Sequence, residues 1–200
     1  MKKAIFFVIL LFLISLPIFY ASASLRSRAK FWYVLTHSPC QEHNVWGWAW
    51  SENIGWLSFS CKNTNAPYDY GVDINAETGL FSGYAWSENI GWIDFASAGP
   101  YPTSPNYSAC LDFLGAGQVC DGLGSNKVGG WVKVLSTGEW VKFRGSNYGV
   151  DYESQTGEFL GWAWSDGSPG WLSFNCRNQG ICQSSNYKVM TIARPSPPSV

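Results

Sequence analysis

The sequence predicts an all-β protein whose antiparallel meanders form a duplicated repeat and pack as a sandwich or a flattened barrel. Three observations predict this fold. A tryptophan-rich phrase recurs along the chain, and short aromatic and β-branched runs alternate with Gly, Asn and Ser. Of the 200 residues 17% are aromatic, 14% are charged and 21 are glycine. Recurrence at a fixed period indicates a repeated supersecondary unit, and such runs between turn residues are typical of hairpins.

The N-terminus predicts export. A basic start, an apolar run over residues 4–20 and the small residues 21–23 predict a signal peptide over residues 1–23. A single membrane anchor is the alternative, because the apolar run is nearly long enough to span a bilayer, but Pro17 favours cleavage. Loss of Lys2 and Lys3 would leave 11 basic residues against 14 acidic ones, about −3, which argues against nucleic-acid binding.

The repeated phrase sets out the order of the predicted strands. Its three full copies read GWAWSENIGWLSF (47–59), GYAWSENIGWIDF (83–95) and GWAWSDGSPGWLSF (161–174), and a degenerate copy reads GWVKVLSTGEWVKF (130–143). A second phrase, Y-G-V-D followed by a T-G turn, starts at Tyr70 and Tyr148, ahead of the second and third full copies. Each unit is therefore predicted as strand, T-G turn, strand, S-E-N-I-G turn and strand.

These phrases divide the chain into segments. The signal peptide is followed by an N-terminal segment (24–44) and a first aromatic meander (45–96). A Gly, Pro and Ser-rich excursion (97–129) separates this meander from a second one (130–192). The last segment, 193–200, is a Pro-rich tail that we expect to be mobile.

The repeated wording resembles the GWAWSENIGWISF-type repeats of secreted or surface proteins from uncultured bacterial lineages with small genomes. The resemblance covers roughly residues 45–190, and the stretch from Phe174 through Cys182 to Val189 is similar to the family's continuation after the motif. The first copy departs from the pattern, because Cys61 has no second cysteine before Tyr70. The resemblance implies a surface location and a repeat architecture, and it implies no activity.

Strand alternation sorts the side chains of each copy into two faces. In the last strand of a copy an aliphatic residue and the final Phe share the core face, as Leu57 and Phe59 do. The opposite face carries the candidate ligand-binding residues Trp56, Trp92, Trp140 and Trp171. In the preceding strand we expect the aromatic residues to point inward and Gly and Ala outward. The outward tryptophans then either cover bare backbone or form a stacking platform for a polysaccharide or peptide, unless the faces are reversed.

Six cysteines in an exported chain predict disulfides rather than a metal site. Sequence alone allows 15 connectivities. Proximity favours the pairs Cys176–Cys182, Cys110–Cys120 and Cys40–Cys61. Each bridge would close a short loop.

Candidates for catalysis are few. Glu52, Glu88 and Asp166 follow the W-S dipeptide of each full copy and could serve as glycosidase acids, but recurrence in every turn favours a turn-forming role. His37 and His43 flank Cys40, for which a disulfide is favoured over a nucleophile. Residues 73–77 faintly resemble a calcium loop, but a hairpin turn explains them and their counterpart 151–155. We therefore expect no enzyme activity, no metal and no cofactor.

The sequence thus predicts a non-enzymatic, exported surface or envelope protein that acts as a disulfide-stabilised structural or interaction scaffold. The first alternative is a carbohydrate-binding module that uses its outward tryptophans, and the second is a secreted glycoside hydrolase. The expected partner is a polysaccharide or a surface protein, with no nucleic acid. Membrane contact is expected only through an uncleaved leader.

Overall fold

The computed structural model describes residues 40–113, 120 and 122–194. The strands in this part of the chain are β1 (Val45–Ser51), β2 (Gly55–Ser58), β3 (Val72–Ile74), β4 (Phe81–Ser87), β5 (Gly91–Asp94), β6 (Cys110–Asp112), β7 (Lys127–Gly129), β8 (Trp131–Val134), β9 (Trp140–Lys142), β10 (Val150–Glu153), β11 (Glu158–Trp164), β12 (Trp171–Ser173) and β13 (Val189–Thr191). Two 3₁₀ helices span Cys61–Asn63 and Cys176–Asn178. The predicted signal peptide, residues 24–39 with His37, and the tail from residue 195 lie outside the described residues.

Eight of these strands form a closed antiparallel barrel. Its order is β1, β2, β4, β5, β8, β9, β11 and β12, and β12 pairs back onto β1 through Ser173 and Trp50. The ring consists of four hairpins, one from each copy of the repeated phrase: the first is β1–β2, the second β4–β5, the third β8–β9 and the fourth β11–β12. The all-β prediction is confirmed, and the barrel is the predicted arrangement that the chain adopts.

The four seams between hairpins use the same register. In each seam the residue just before the final Phe of one copy pairs with the fourth residue of the next copy. The pairs are Ser58 with Trp86, Asp94 with Lys133, Lys142 with Trp164, and Ser173 with Trp50. The degenerate copy is therefore a full structural member of the ring.

The first glycine of each copy marks a crossing of two backbones. Gly47, Gly83, Gly130 and Gly161 have φ values of +94°, +84°, +84° and +94°. A Cβ atom on any of them would lie 2.0–2.3 Å from a backbone carbonyl oxygen of another segment. Only glycine allows this approach. The residues leading up to this glycine pair with the outer strands β3, β6, β10 and β13, and those after it form the barrel.

The core is built around a ring of phenylalanines. Phe59, Phe95, Phe143 and Phe174 each end one copy of the motif and are at most 2% exposed. Their ring centroids lie 5.5–6.1 Å apart around a closed cycle, in which each ring contacts those of the two neighbouring hairpins. Aromatic pairs of this kind contribute about 0.5–1.5 kcal/mol each beyond area burial. The predicted inward face of the last strand is confirmed by these side chains.

The expected direction of the aromatic residues in the preceding strand is wrong. Ala49, Ala85 and Ala163 are completely buried in the core, and the flanking aromatic side chains point outward. The hairpin register explains the reversal, because directly paired residues share a face. Ala49 pairs with Leu57, and Trp50 pairs with Trp56. Alanine is the residue that leaves room for the four phenylalanine rings.

The four hairpin turns are hydrogen-bonded to one another at one end of the barrel. Asn89 Nδ2 donates to the Ile54 carbonyl (2.9 Å), Ser136 Oγ to the Ile90 carbonyl (2.5 Å), Asn53 Nδ2 to the Pro169 carbonyl (3.1 Å), and the Ser168 N–H to Glu139 Oε2 (2.7 Å). Each turn thus bonds to both of its neighbours. The asparagine of the S-E-N-I-G turn therefore joins hairpins, besides shaping its own turn.

Three disulfides brace the loops outside the barrel. They join Cys40 to Cys61, Cys110 to Cys120, and Cys176 to Cys182, the pairs that proximity favours. The sequence separations of 21, 10 and 6 residues make each loop short, for which a contribution of about 2–4 kcal/mol is typical. Within the described residues no helix has the length and apolar character needed to cross a membrane.

The backbone crossing predicts a large effect of substituting its glycine. Gly161→Ala places a Cβ atom 2.0 Å from the Gly149 oxygen, so we expect a loss of more than about 3 kcal/mol in the free energy of unfolding. Chemical denaturation of the disulfide-intact chain measures it.

Gly138→Ala is the matched control. Gly138 has a similar φ of +77° but no atom within 4 Å of the added Cβ, so only the backbone strain of about 1–2 kcal/mol remains. Equal losses in the two variants would show that the crossing itself carries no special cost.

A charged network fastens the second 3₁₀ helix to β11. Glu158 lies 2.6 Å from Lys188 Nζ and accepts a 3.0 Å hydrogen bond from Asn175 Nδ2, while Arg177 bonds Glu153 at 2.9 Å. Burial raises the pKa of Glu158, but the hydrogen bonds and charges of its partners outweigh this and lower its pKa overall. Hydrogen bonds from Thr156 and Arg177 lower the pKa of Glu153 as well.

This network predicts acid sensitivity. A carboxyl group whose pKa is lower in the folded state contributes stability that is present above its unfolded pKa and lost as the pH falls through the folded pKa. We expect the free energy of unfolding to decrease below about pH 4.5, the ordinary value for Glu158. Glu158→Gln should flatten this decrease in denaturation curves measured from pH 7 to pH 3. If the unaltered protein and the variant lose the same unfolding free energy over this range, Glu158 makes no such contribution.

Candidate functional site

Outward-facing aromatic side chains form one cluster on each hairpin. Cluster 1 holds Trp48, Trp50, Trp56 and Tyr187; cluster 2 holds Tyr68, Tyr70, Tyr84, Trp86 and Trp92; cluster 3 holds Tyr101, Trp131 and Trp140; cluster 4 holds Tyr148, Trp162, Trp164 and Trp171. The clusters cover the outside of the barrel wall. They are the main candidate for a functional surface.

The central pair of three clusters has the same geometry. Trp164 and Trp171 are directly opposed across the hairpin, with ring centroids 4.6 Å apart and ring planes 51° apart. The corresponding pairs in clusters 1 and 2 are 4.5 Å apart at 60° and 56°. The register of the hairpin therefore fixes each tilted pair, so the rings are held in place before any ligand arrives.

The structure exposes two of the four candidate ligand-binding tryptophans and covers the other two. Trp56 is 42% exposed and Trp171 is 46% exposed. Trp92 is half-buried between the buried Tyr70, whose ring centroid lies 5.3 Å away, and the exposed Tyr68, at 6.3 Å. Trp140 is half-buried with Tyr101 at 5.3 Å. The exposed pair lies on the first and fourth hairpins, which are neighbours in the ring.

The third hairpin differs from the others in charge. Lys133 takes the position that tryptophan holds in the full copies, and its Nζ lies 5.2 Å from the Trp140 ring centroid. Lys142 Nζ lies 4.9 Å from the ring of Trp131, which is itself only 7% exposed. Cation–π contacts thus replace aromatic pairs here, and the chain gains a positively charged stretch of wall.

Buried tyrosines support clusters 1 and 2 from below. Tyr187 packs edge-on against Trp56 at 5.4 Å, and its hydroxyl donates to Ser173 Oγ at 2.8 Å. Tyr70 does the same for Trp92, with its hydroxyl 2.9 Å from Ser58 Oγ. Burial raises the pKa of Tyr187, which keeps its hydroxyl protonated and able to donate.

Sequence reasoning missed this supporting role, although a pattern pointed to it. A tyrosine followed two residues later by Val or Ala occurs once after each copy, at Tyr70, Tyr107, Tyr148 and Tyr187. Three of the four contact a tryptophan of the next hairpin around the ring. The spacing after the motif varies, which hides the pattern in a linear comparison.

Grooves lie between adjacent clusters. The 4–1 groove, about 510 Å³, lies between the fourth and first hairpins and contains Trp50, Trp164, Trp171 and Tyr148 with Glu52 and Asn147. The 1–2 groove, about 560 Å³, contains Trp50, Trp56, Trp86 and Tyr68 with Glu88 and Asn65. The 3–4 groove, about 490 Å³, contains Trp140, Trp164 and Tyr148 with Lys142, Glu139 and Asp166. Volumes of about 300–1,000 Å³ are typical of ligand sites.

The carboxylates considered as glycosidase acids lie in three separate turns. Glu52, Glu88 and Asp166 are all exposed. Asp166 accepts a 2.9 Å hydrogen bond from Trp164 Nε1 and so helps to orient that ring. Glu52 and Glu88 each line one groove, where a carboxylate can accept hydrogen bonds from a bound molecule.

The residues considered for a nucleophile and a calcium loop have other contacts. Cys40 is bonded to Cys61, and His43 lies 2.7 Å from Asp73 and 3.3 Å from Asp69. The Asn75 side chain accepts hydrogen bonds from two backbone N–H groups of its own turn. The cluster with metal-like spacing in the described chain is Cys40, Cys61 and Asp69, whose sulfur atoms are joined to each other.

Comparison with protein-family models, with curated proteins and with solved structures returned no match for this chain.

The buried tyrosine hydroxyl predicts a measurable contribution to stability. Tyr187→Phe removes the hydrogen bond to Ser173 while the ring still packs on Trp56, so we expect a loss of about 1 kcal/mol in the free energy of unfolding. Combined with Ser173→Ala, the two changes should be less than additive. Thermal denaturation of the four proteins in the cycle measures this coupling.

Tyr84→Phe is the control for this cycle. Tyr84 is 45% exposed, so removal of its hydroxyl should change stability by no more than about 0.5 kcal/mol. Additive losses in the cycle, or an equal loss in the control, would contradict the supporting role of Tyr187.

Proposed function

We propose that this protein is an exported, non-enzymatic scaffold of the cell surface or envelope that holds aromatic side chains in position for interaction outside the cell. The observation that carries the proposal is the presence of two exposed indole rings, Trp56 and Trp171, on a closed barrel with three disulfides. Exposed aromatic residues in contiguous surface patches mark interaction sites.

Three features support an exported location. Disulfides persist in oxidising compartments and are rare in the cytosol, and the described chain has no free cysteine. The predicted signal peptide over residues 1–23 supplies a route of export. The sequence of the repeated motif also resembles that of secreted or surface proteins.

The architecture suits a scaffold that works outside the cell without chaperones. The closed ring leaves the eight barrel strands no free hydrogen-bonding edge, which protects against edge-to-edge aggregation. The bonded turns and the phenylalanine ring hold the four hairpins in one register. A rigid wall keeps the aromatic rings in place, so little entropy is lost when they bind.

A non-enzymatic role is supported by the placement of the acidic residues. Glu52, Glu88 and Asp166 recur once per full copy, each in the turn of a different hairpin. A recurring turn position fits a structural role or ligand contact better than a single reaction centre. The second candidate function, carbohydrate binding, is favoured by the grooves beside Trp171 and Trp50.

The proposal predicts cleavage and oxidation on export. Expressed with its leader in a bacterial host, the chain should reach the periplasm or medium, begin at Ser24 and carry three disulfides. Mass spectrometry after alkylation without reductant measures both properties.

A leader variant provides the control. Leu11→Arg places a charge in the apolar run and should leave the chain in the cytoplasm with alkylated cysteines. Retention of the unaltered chain in the cytoplasm in reduced form would overturn the proposed location, and with it the proposed function.

A further inference from the structure

We propose that the grooves on the first and fourth hairpins form one extended site for a neutral, β-linked glycan. This inference rests on the proposed function and names the ligand class for it. The site is centred on the 4–1 groove and continues into the 1–2 groove. Trp50 lines both grooves and connects them.

The grooves are continuous along the barrel wall. Tyr148 and Trp164 line both the 3–4 groove and the 4–1 groove. At the other end, Trp48 and Trp56 line both the 1–2 groove and a fourth groove of about 440 Å³ beside Tyr187. Each junction therefore carries an aromatic ring. A series of connected subsites of this kind suits a polymer better than a small molecule.

The lining of the two central grooves matches the chemistry of a sugar. The C–H faces of sugar rings pack on the faces of aromatic rings, and their hydroxyls bond to amides and carboxylates. The 4–1 groove offers Trp171 and Trp50 beside Asn147, Gln179 and Glu52. The 1–2 groove repeats the arrangement with Trp56 and Trp86 beside Asn65, Asn89 and Glu88.

Several polar groups in the 4–1 groove have no hydrogen-bond partner among the described residues. These are the side chains of Asn147 and Glu52 and the indole N–H groups of Trp50 and Trp171. Asn147 and Glu52 are exposed. They are free to bond to a ligand, whereas Asn53 in the same groove already bonds the Pro169 carbonyl.

Charge argues for a neutral ligand. Neither central groove is lined by a lysine or an arginine, and each contains a glutamate. An anionic polymer would meet these carboxylates without a compensating cation. The positive side chains of the wall, Lys133 and Lys142, lie on the third hairpin over tryptophan rings.

The spacing of the hairpins fits an extended glycan. Equivalent positions on neighbouring hairpins are two strands apart, or about 10 Å at the backbone. In an extended β-linked glycan two sugar rings span about the same distance, so each groove would take one disaccharide. A peptide strand cannot add to the barrel by pairing, because the ring has no free edge.

The first test measures retention and affinity. The purified, oxidised chain is mixed with insoluble cellulose and chitin, with dextran and polygalacturonate as the α-linked and acidic comparisons. Soluble cellohexaose and chitohexaose are titrated against tryptophan fluorescence. We expect retention on at least one β-linked polymer, with quenching by its hexamer, and weaker retention on both comparison polymers.

Variants locate the site. Trp171→Ala and Trp50→Ala should each weaken binding about tenfold or more, and Asn147→Ala should weaken it without lowering the melting temperature. Leu135→Ala is the control, because Leu135 is 48% exposed, belongs to none of the aromatic clusters and lines none of the described grooves. The near-ultraviolet circular dichroism of each variant checks its folding.

The remaining outcomes overturn the inference. A folded chain that ignores both β-linked polymers, prefers polygalacturonate, or binds dextran equally well does not have the proposed site. Binding that survives Asn147→Ala and both tryptophan variants places the ligand elsewhere. Binding of a polyproline peptide but of no glycan would assign the groove to a protein partner and overturn the glycan inference. The export and disulfide formation measured for the proposed function would be unaffected, so the proposed function would survive.

Discussion

Four backbone crossings hold this architecture together, each at the first glycine of a repeat, where a carbonyl oxygen occupies the space of a side chain. At this point one strand stops pairing with the outer strands and becomes a strand of the barrel. The positive φ of Gly161 and its three counterparts makes the bend. Without it, one strand could not serve both layers, and neither the closed ring nor the orientation of the tryptophans would follow.

The closed ring determines what the wall presents to solvent. Four phenylalanine rings fill the interior, so the facing position of the first strand carries a small side chain, alanine in the three full copies and Val132 in the third hairpin. The tryptophans of the motif must therefore lie outside, where the hairpin register stacks them in tilted pairs. A stability requirement in the core thus produces an aromatic surface, and tyrosines such as Tyr187 bury part of it.

Departures from four-fold repetition make the four sides of the barrel surface different from one another. The third hairpin carries lysines where the others carry tryptophan or a small polar residue. Tyr101 packs against Trp140, and Tyr68 packs against Trp92. Open rings are left on the first and fourth hairpins, which meet across the seam between Trp50 and Ser173. The same seam closes the barrel. The two exposed tryptophans, Trp56 and Trp171, therefore lie on the two hairpins that this seam joins.

The sequence by itself determined the all-β class, the four hairpins and the inward direction of residues such as Phe59, and it favoured the pairing of nearby cysteines. These properties depend on strand alternation and short loops, which act over a few residues. Only the tertiary structure decided that Ala49 faces inward, that Asn89 bonds a neighbouring turn, and that Trp92 is half-buried while Trp171 is exposed. Alternation divides the side chains of a strand between two faces, but it does not fix which face is buried. The buried face is decided by the register and closure of strands that lie far apart in the chain.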